Sequence, residues 1–419
     1  MVEMPVTTSG IPRFGRRKLE HELYITDTTL RDGQQGSRPF SFEESMAIYQ
    51  LLVELDNGSG VIRDIELFPY TEKDRKVIRA IKDQGTYPRP IGWIRSAVSD
   101  LRLVKEAGLD TTILLASVSD YHIYYKLGMD RESARNKYLS VIEEALKMGF
   151  QIKVALEDIT RSDVYGFVMP FLQEVMRLTE RYGVRFHIKI SDTLGLGLPF
   201  MEAPLPRSIP RLIRFLVDDM GVDSEGIEFH GHNDFHLVIA NHLAAWVYGA
   251  SLSNCTLLGI GERAGNCPLE AMAIFYDQLK GGSQFNFRAL PKVKDLFIRM
   301  GFNVPEFYPL LGDNAFRTKA GIHIDGLLKN PQIYLPFDPE TVMGVPYTVE
   351  VTPYSGRAGL LFWMVKKFGI KDWKKYKNDE RVDMAYKEVL KKFEEGRKEP
   401  LKEEEVVRIV LKYIPELVR

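Results

Sequence analysis

Two histidines separated by a single residue are the strongest chemical signal in this sequence. His230 and His232 stand in the segment HGHND, within a run that reads as a β-strand, where residues i and i+2 project to the same side. Asp32, in DTTLRDGQQG, can add an anionic oxygen. A lone strand histidine is usually packed in a core, but a pair in register followed by Asn233 and Asp234 favours metal ligation. Such a ligand set suits Mn, Fe, Co or Zn.

Arg31 directly precedes Asp32 and indicates which reaction the metal could catalyse. An ion held by one carboxylate and two neutral imidazoles keeps positive charge and open positions. It can therefore take the carbonyl and carboxylate oxygens of a 2-oxo acid and act as a Lewis acid. Arg31 would stabilise the alkoxide that forms when a nucleophile attacks the carbonyl. The motif RDG alone is equally compatible with a loop salt bridge.

Eight short apolar runs alternate with segments of helical pattern and must carry these residues. They span 22–30, 62–68, 90–96, 111–117, 152–160, 185–193, 226–234 and 251–261. Eight βα units in succession predict an α/β fold, a (β/α)8 TIM barrel, followed by a small helical and loop subdomain and a charged helical tail. A doubly wound open sheet is the rival, but the glycine-rich phosphate fingerprint it often carries is missing after the first run.

Polar residues stand at the ends of nearly all of these runs. In a barrel the strand ends open onto one face, where the active sites of this fold lie. A polar residue at any one strand end is as compatible with simple capping as with function, whereas the repetition favours a site. The positions are Asp27 to Asp32, Glu66, Arg95, Ser117 to His122, Glu157 to Arg161, Asp192 to Thr193, His230 to Asp234, and Glu262 to Asn266.

Composition favours small-molecule chemistry. Hydrophobic residues make up 45% and charged residues 27%, and the formal net charge of −1 supplies no basic field for nucleic acid or an anionic membrane. Two cysteines, Cys255 and Cys267, are too few for a disulfide scaffold. Neither a signal peptide nor a run of about 20 apolar residues is apparent. We expect a protein of the cytoplasm.

Four segments are predicted along the chain. An N-terminal extension spans 1–20, the barrel with the metal site 21–285, a post-barrel subdomain that contributes to the active site 286–360, and a helical C-terminal tail 361–419. The tail is rich in Lys and Glu with an amphipathic pattern, as in solvated helices with one buried stripe.

Four motifs resemble those of a metal-dependent barrel family. The motifs are DTTLRDGQQ at 27–35, HGHND at 230–234, LLGIGERAGN at 257–266 and NAFRTKAGIHIDG at 314–326. The family contains 2-isopropylmalate, homocitrate, citramalate and Re-type citrate synthases, with hydroxymethylglutaryl-CoA lyase as a relative. The similarity runs from about 22 to about 360. It implies a condensation of acetyl-CoA with a 2-oxo acid at a divalent metal (Mn, Co, Mg or Zn), with release of CoA.

The resemblance also implies a role for each matching residue. Asp32, His230 and His232 would be metal ligands, with Asn266 as a further ligand, and Arg31 would be catalytic. His323 and Tyr334 match a histidine and a tyrosine of the post-barrel subdomain, in the synthases often supplied across a homodimer interface. His323 is then the leading acid/base candidate. Glu262 of the GER motif would assist proton transfer or hold Arg263. The expected substrate-binding residues are Gln35, Arg95, Glu157, Arg161, Thr193 and Arg317.

Several departures from the family pattern bear on the acceptor. Phe235 and His236 follow HGHND where a small glycine is common, and Arg317 and Thr318 replace a usual threonine and histidine. The tail looks too short and too helical for a leucine-binding regulatory domain, so leucine feedback is not expected. The combined pattern most resembles the Re-citrate synthase branch, which predicts oxaloacetate as acceptor. Its second carboxylate would need an arginine, and Arg95, Arg161 and Arg317 are candidates. Homocitrate formation from 2-oxoglutarate ranks second, and branched 2-oxo acids third.

Two other classes of function are weighed against a synthase. A cleaving lyase of the same family would resemble its relatives in a catalytic cysteine within a GxGxCP loop, whereas this chain has Glu262 and Arg263 in GIGERAGN, with Cys267 displaced beyond Asn266. A non-catalytic metal-binding or assembly role is compatible with the fold, because one fold hosts many functions. That role predicts gaps in the catalytic set, and none is seen.

Overall fold

The structure is a computed structural model that describes residues 19–282 and 284–418. The described residues fall into two compact units, one that ends at Leu296 and one that begins at Phe297. The predicted N-terminal extension, 1–20, lies outside the described residues except for its last two.

Eight parallel strands close into a barrel in the first unit, which confirms the predicted fold class. β1 pairs with both β2 and β8, and the register Thr26↔Asn254 across the closing pair brings the two ends of the sheet together. The strands are β1 (Tyr24–Asp27), β2 (Ile62–Leu67), β3 (Arg89–Arg95), β4 (Thr111–Ser117), β5 (Gln151–Glu157), β6 (Ile188–Asp192), β7 (Ile227–Gly231) and β8 (Leu252–Cys255).

One helix follows each strand and covers the outside of the barrel. Side-chain caps begin several of them: Ser41 accepts from the Glu44 amide in a capping box at α1, and Thr71 accepts from the Asp74 amide at α2. The helices are α1 (Phe42–Asp56), α2 (Glu72–Gln84), α3 (Val98–Glu106), α4 (Arg131–Lys147), α5 (Met169–Arg181), α6 (Ile209–Arg214), α7 (Val238–Tyr248) and α8 (Leu269–Lys280), followed by α9 (Leu290–Arg299), which begins in this unit.

The strands end earlier than several of the apolar runs predict. β7 stops at Gly231, so His232 lies one residue beyond it and not on the strand, which corrects the prediction that both histidines share a strand. The His232 amide still donates to the carbonyl of Asp192, the last residue of β6, at 3.2 Å, and His232 forms an isolated antiparallel bridge with Asn266. The segment after β7 is thereby joined to the end of β6 and to the loop after β8.

The inside of the barrel is unusual in being charged. Branched apolar residues usually fill this space. Here the strands β2, β5, β6 and β7 bury Glu66, Lys153, Lys189 and Glu228, none more than 4% exposed. Buried charges persist only when they are paired, and these pair with one another. An apolar cluster of Ile91, Ile113 and Ala155 lies on the neighbouring strands β3, β4 and β5.

The second unit is mainly helical. It contains a two-stranded parallel sheet, β9 (Arg317–Thr318) with β10 (Thr348–Val349), and the helices α10 (Gly321–Leu327), α11 (Pro339–Val342), α12 (Gly356–Phe368), α13 (Glu380–Glu394) and α14 (Glu403–Tyr413). The predicted buried stripe of the helical tail is present, with Val382 and Val389 of α13 packed in one core with Val406 and Val410 of α14. Among the described residues no helix has the length and apolar character needed to cross a bilayer.

Candidate active site

A single π-helical turn after β1, Thr29–Gly33, positions Arg31 and Asp32. The turn is fixed because the amides of Arg31, Asp32 and Gly33 all donate to the Thr28 carbonyl, at 2.8–3.2 Å. Asp27 anchors its start by accepting from the amide and the hydroxyl of Thr29. Arg31 and Asp32 are consequently held, buried, at the carboxyl end of the barrel.

Asp32, His230 and His232 bring three donor atoms together. The two imidazole Nε2 atoms are 3.3 Å apart, and they lie 3.4 and 3.7 Å from Asp32 Oδ2. A point equidistant from these three atoms lies about 2.0 Å from each, which is the length of a bond from a transition metal to nitrogen or oxygen. The residues therefore fit a divalent metal ion.

Hydrogen bonds fix which imidazole nitrogen of His230 is free. Asn254 Nδ2 donates to Thr26 Oγ1 at 2.8 Å and to Glu66 Oε1 at 2.9 Å, so Asn254 Oδ1 is the acceptor that faces His230 Nδ1 at 2.7 Å. His230 Nδ1 accordingly carries the proton and Nε2 presents a lone pair to Asp32 and His232. This is the arrangement by which metal-binding histidines are usually oriented.

Asn266 completes the cluster from the loop after β8. Its Nδ2 donates to Asp32 Oδ2 at 2.7 Å, while its Oδ1 is buried with no hydrogen-bond partner. An orphaned amide oxygen beside a carboxylate and two imidazoles is a further donor for a cation. Gly261 makes room for it, since a Cβ there would lie 2.1 Å from Asn266 Oδ1.

The charge state of the cluster suits metal ligation. Burial would raise the pKa of Asp32, but the Arg31 cation overcomes it and, with the hydrogen bond from Asn266, holds that pKa below its usual range. Burial lowers the pKa of His230 and of His232, so both imidazoles are neutral near pH 7. One anion and two neutral lone-pair donors result.

Arg31 is held by two residues that were not predicted to belong to the site, Glu66 and Trp93. Its Nη2 lies 3.3 Å from Glu66 Oε2, and its guanidinium stacks 5.0 Å from the centre of the Trp93 ring. Glu66 was noted only as a polar strand end. The signal that could have identified it is the alternation of Asp64 and Glu66 in the buried run IRDIELF, because acids at i and i+2 inside a barrel need cationic partners.

A second polar cluster lies at the ends of β4 and β5. Glu157 accepts from Lys126 Nζ at 2.8 Å and 2.7 Å, and its Oε2 lies 3.2 Å from His122 Nδ1. Burial works against ionisation of Glu157, yet His122 and Lys126 bring its pKa down to about 2. Next to it, Arg161 donates from Nε and Nη2 to Asp158 and stacks on the Tyr121 ring. His122 was missed as a site residue because a lone histidine in a loop carries little signal.

The loops after β6 and β8 are tied together beside the metal-binding cluster. Thr193 Oγ1 accepts from the Asp158 amide at 2.8 Å, and the Thr193 carbonyl accepts from Arg263 Nη2. Arg263 also pairs with Asp234 at 2.9 Å. Glu262 accepts from Gln35 Nε2 at 3.2 Å, which links the first loop to the last.

Left-handed backbone is concentrated in these loops. Asp158, His236, Leu258 and Arg263 all have φ between 56° and 63°, a conformation that non-glycine residues rarely adopt. Such strain of about 1–3 kcal/mol per residue persists where the surroundings hold it, typically at functional sites. Its occurrence after β5, β7 and β8 supports a site at this end of the barrel.

The remaining predicted site residues lie apart from this cluster or in the other unit. Arg95 is 67% exposed in its side chain and is bound to Asp100 through Nε and Nη2. In the second unit Arg317 pairs with Glu350 at 3.0 Å. His323 and Tyr334 stack there with ring centres 4.2 Å apart.

The sequence matches two known family models. Residues 22–297, more than half of the chain, match the family model described as HMGL-like. The chain belongs to the HMGL-like family. Residues 310–391 match the model described as homocitrate synthase post-HMGL domain-like.

Two relatives of the HMGL-like chain share most of its length. It is 42% identical over 404 residues to citrate (Re)-synthase of Clostridium kluyveri, which covers 96% of this chain and 89% of that protein. It is 40% identical over 400 residues to citrate (Re)-synthase of Syntrophus aciditrophicus, of whose length it spans 64%. The fold alone is shared with hydroxymethylglutaryl-CoA lyase from Pseudomonas aeruginosa, at a TM-score of 0.53 and 14% identity over 70% of this chain and 95% of that one.

Proposed function

We propose that the chain condenses acetyl-CoA with a 2-oxo acid at a divalent metal ion in a Claisen-type reaction that releases CoA. Oxaloacetate is the preferred acceptor and citrate the product. The observation that carries the reaction is the triangle of Asp32, His230 and His232 donor atoms beside Arg31. The choice of oxaloacetate is supported by the identity of 42% to citrate (Re)-synthase.

The metal site consists of Asp32, His230 and His232, with Asn266 as an adjoining ligand. When bound, a divalent ion (Mn, Co, Mg or Zn) would polarise the acceptor carbonyl as a Lewis acid. The guanidinium of Arg31 lies beside Asp32 and stabilises the negative charge that develops on the acceptor's carbonyl oxygen. Preorganised donors of this kind act in a buried site, where they are worth more than in water.

The carbon–carbon bond forms between the acetyl methyl and the acceptor carbonyl carbon. A base removes one methyl proton, the enolate attacks the carbonyl carbon, and water then hydrolyses the thioester to release CoA. His323 is the leading acid/base residue, Tyr334 stacks on it, and Glu262 assists proton transfer.

Recognition of a dicarboxylate acceptor requires a second cation. Arg161 is the best placed of the candidate arginines on the barrel, since its bonds to Asp158 use Nε and Nη2 and leave Nη1 for a ligand. Glu157 and Thr193 line the same rim, with Gln35 and Arg95 farther along it. Arg317 would act from the second unit.

The active enzyme is proposed to be a cytoplasmic homodimer in which the second unit of one subunit supplies His323, Tyr334 and Arg317 to the barrel of its partner. The stacked pair is accessible, with Tyr334 41% exposed, as a side chain that meets a ligand or another subunit must be.

A cleaving lyase is disfavoured by the state of Cys267. Its thiol is fully buried, and burial together with the neighbouring Cys255 raises its pKa well above the usual value. A protonated thiol without access to solvent is neither a nucleophile nor an acid/base group.

Release of CoA, measured with a thiol reagent, tests the proposed acceptor. Purified protein with Mn²⁺ and acetyl-CoA is given oxaloacetate, 2-oxoglutarate, 2-oxoisovalerate or pyruvate in turn. We expect the highest kcat/KM with oxaloacetate and none above background for Asp32→Asn. Faster turnover with 2-oxoglutarate would replace citrate by homocitrate as the product, and no turnover with any acceptor would falsify the proposed reaction.

Ion-by-ion restoration tests the metal. Protein stripped by a chelator is expected to lose activity and to recover it with one or more of Mn²⁺, Co²⁺, Mg²⁺ and Zn²⁺. Activity that survives exhaustive chelation would contradict the metal site.

A further inference from the structure

Five charged side chains form a continuous series inside the barrel, starting at the active site. We call this series the charge ladder. No member is more than 7% exposed, and positive and negative side chains alternate along it. In order, the members are Arg31, Glu66, Lys189, Glu228 and Lys153.

Glu66 is the branching member of the ladder. Its Oε2 accepts from Arg31 Nη2 at 3.3 Å and from Thr28 Oγ1 at 3.0 Å. Its Oε1 accepts from Lys189 Nζ and from Asn254 Nδ2, the latter at 2.9 Å. One oxygen therefore holds the candidate catalytic arginine, while the other is held by the lysine.

Lys189 neutralises the charge of Glu66 from the side of the carboxylate that faces away from Arg31. It is 1% exposed, bonds Glu66 Oε1, and lies 3.4 Å from Glu228 Oε1. Lys153, a second buried lysine, bonds Glu228 and attracts Asp64 and Glu66 without bonding Glu66. The difference that matters here is that only Lys189 bonds the carboxylate that holds Arg31.

Burial of so many charges is not explained by stability. A buried ion pair loses about as much in desolvation as it gains in attraction, and well-packed apolar residues would often be as stable. Most barrels fill this space with branched apolar side chains. Stability alone therefore does not account for the charge ladder.

We propose that Lys189 is a positioning residue that saturates Glu66 and so leaves the guanidinium of Arg31 directed at the reacting carbonyl oxygen. The inference rests on the proposed function. Without the ammonium group, Arg31 is the one ladder cation left on Glu66, and attraction draws the guanidinium towards that carboxylate. The donor then moves away from the oxygen on which charge develops, while the metal ligands Asp32, His230 and His232 are untouched.

The matched pair Lys189→Met and Lys153→Met tests the inference in the full-length, Mn²⁺-loaded protein. Each variant removes one buried ammonium group with little change of volume, so both lose stability. We expect kcat with the acceptor that the wild type prefers to fall about 100-fold in Lys189→Met and less than about threefold in Lys153→Met, since a misplaced catalytic group costs rate in this range. KM for acetyl-CoA and the Mn²⁺ affinity, measured by calorimetry, should stay unchanged in both.

Urea unfolding of the two single variants separates positioning from stability. Each variant loses one buried ammonium group, so both unfolding midpoints should fall, whereas the large loss of kcat should occur in Lys189→Met alone. An equal loss of kcat in the two variants would overturn the inference alone. A wild type that turns over no acceptor would overturn the proposed function, and this inference with it.

Discussion

At the scale of single residues, the orientation of the proposed metal ligand His230 depends on a residue that hydrogen-bonds to it from the side away from the metal site. Asn254 accepts from His230 Nδ1 while its amide nitrogen bonds Thr26 and Glu66, so one side chain fixes both the tautomer and the rotation of a metal ligand. Nothing about an asparagine on a strand reveals this in the sequence.

Asn254→Leu should weaken Mn²⁺ binding about 10- to 100-fold, as loss of an outer-shell partner usually does. The free His230 ring then rotates and alternates between tautomers. Titration calorimetry of the chelator-stripped protein measures the affinity. Asn241→Leu is the control, because Asn241 is another buried asparagine, one that donates to the Gly197 carbonyl and touches no ligand. Equal affinities for Asn254→Leu and the wild type would contradict the role.

Asp277, which lies outside the candidate active site, should make the free energy of unfolding depend on pH. Burial raises its pKa to about 6. Between about pH 4 and pH 6 the folded state keeps a proton that the unfolded state has lost, so this group makes the protein less stable as pH rises through that window.

Asp277→Asn should therefore raise the free energy of unfolding by about 1 kcal/mol at neutral to alkaline pH and leave it nearly unchanged near pH 4. Urea unfolding at the two pH values measures the difference. The exposed Asp83→Asn serves as control and should show no such pH-dependent gain. A loss of stability at alkaline pH in Asp277→Asn would contradict this prediction.

At the scale of elements, the strand order and the helices were predictable, whereas the exact strand ends were not. Apolar runs with helical spacers indicated eight βα units, and eight strands are present. His232 was expected on β7 but lies beyond it, in an isolated bridge with Asn266, a residue that is distant in sequence. Glu66 and His122 were noted only as polar residues at strand ends, because the partners that connect them to the site come from other elements. The roles of Arg95, Arg317, His323 and Tyr334 stay predictions.

The loops after β1 and β8 meet at two glycines. A Cβ on Gly36 would lie 2.1 Å from the carbonyl carbon of Gly261, so neither loop can accommodate it without moving. Those loops carry Asp32 and Asn266, and their spacing sets the metal-binding cluster.

Gly36→Ala should therefore cost about 1–3 kcal/mol in unfolding free energy, as overpacking usually does, and should lower Mn²⁺ affinity as well. The control is Gly92→Ala on β3, where the added carbon would lie 3.2 Å from the flexible end of Leu109. Thermal denaturation and calorimetry read the two effects. Unchanged Mn²⁺ affinity in Gly36→Ala would show that the loop spacing tolerates the shift.

At the scale of the whole molecule, the proposed dimer predicts complementation between inactive subunits. Asp32→Asn disables the barrel site and His323→Ala disables the second unit, so each homodimer should be inactive. Co-expression of the two variants should give hybrid dimers with one intact site, and about half of the wild-type activity per hybrid. Activity is measured after separation by two affinity tags. An inactive hybrid, or a fully active wild-type monomer in sedimentation, would argue against the shared site.

Both cysteines of the chain lie in the barrel unit, and neither is exposed to solvent. A thiol reagent can reach Cys255 and Cys267 only when that unit opens. The rate at which the reagent labels the two cysteines therefore measures how fast the barrel opens. Unfolding of the C-terminal helices alone should not change that rate. The two native cysteines thus distinguish unfolding of the barrel unit from unfolding of the C-terminal helices, without any introduced label.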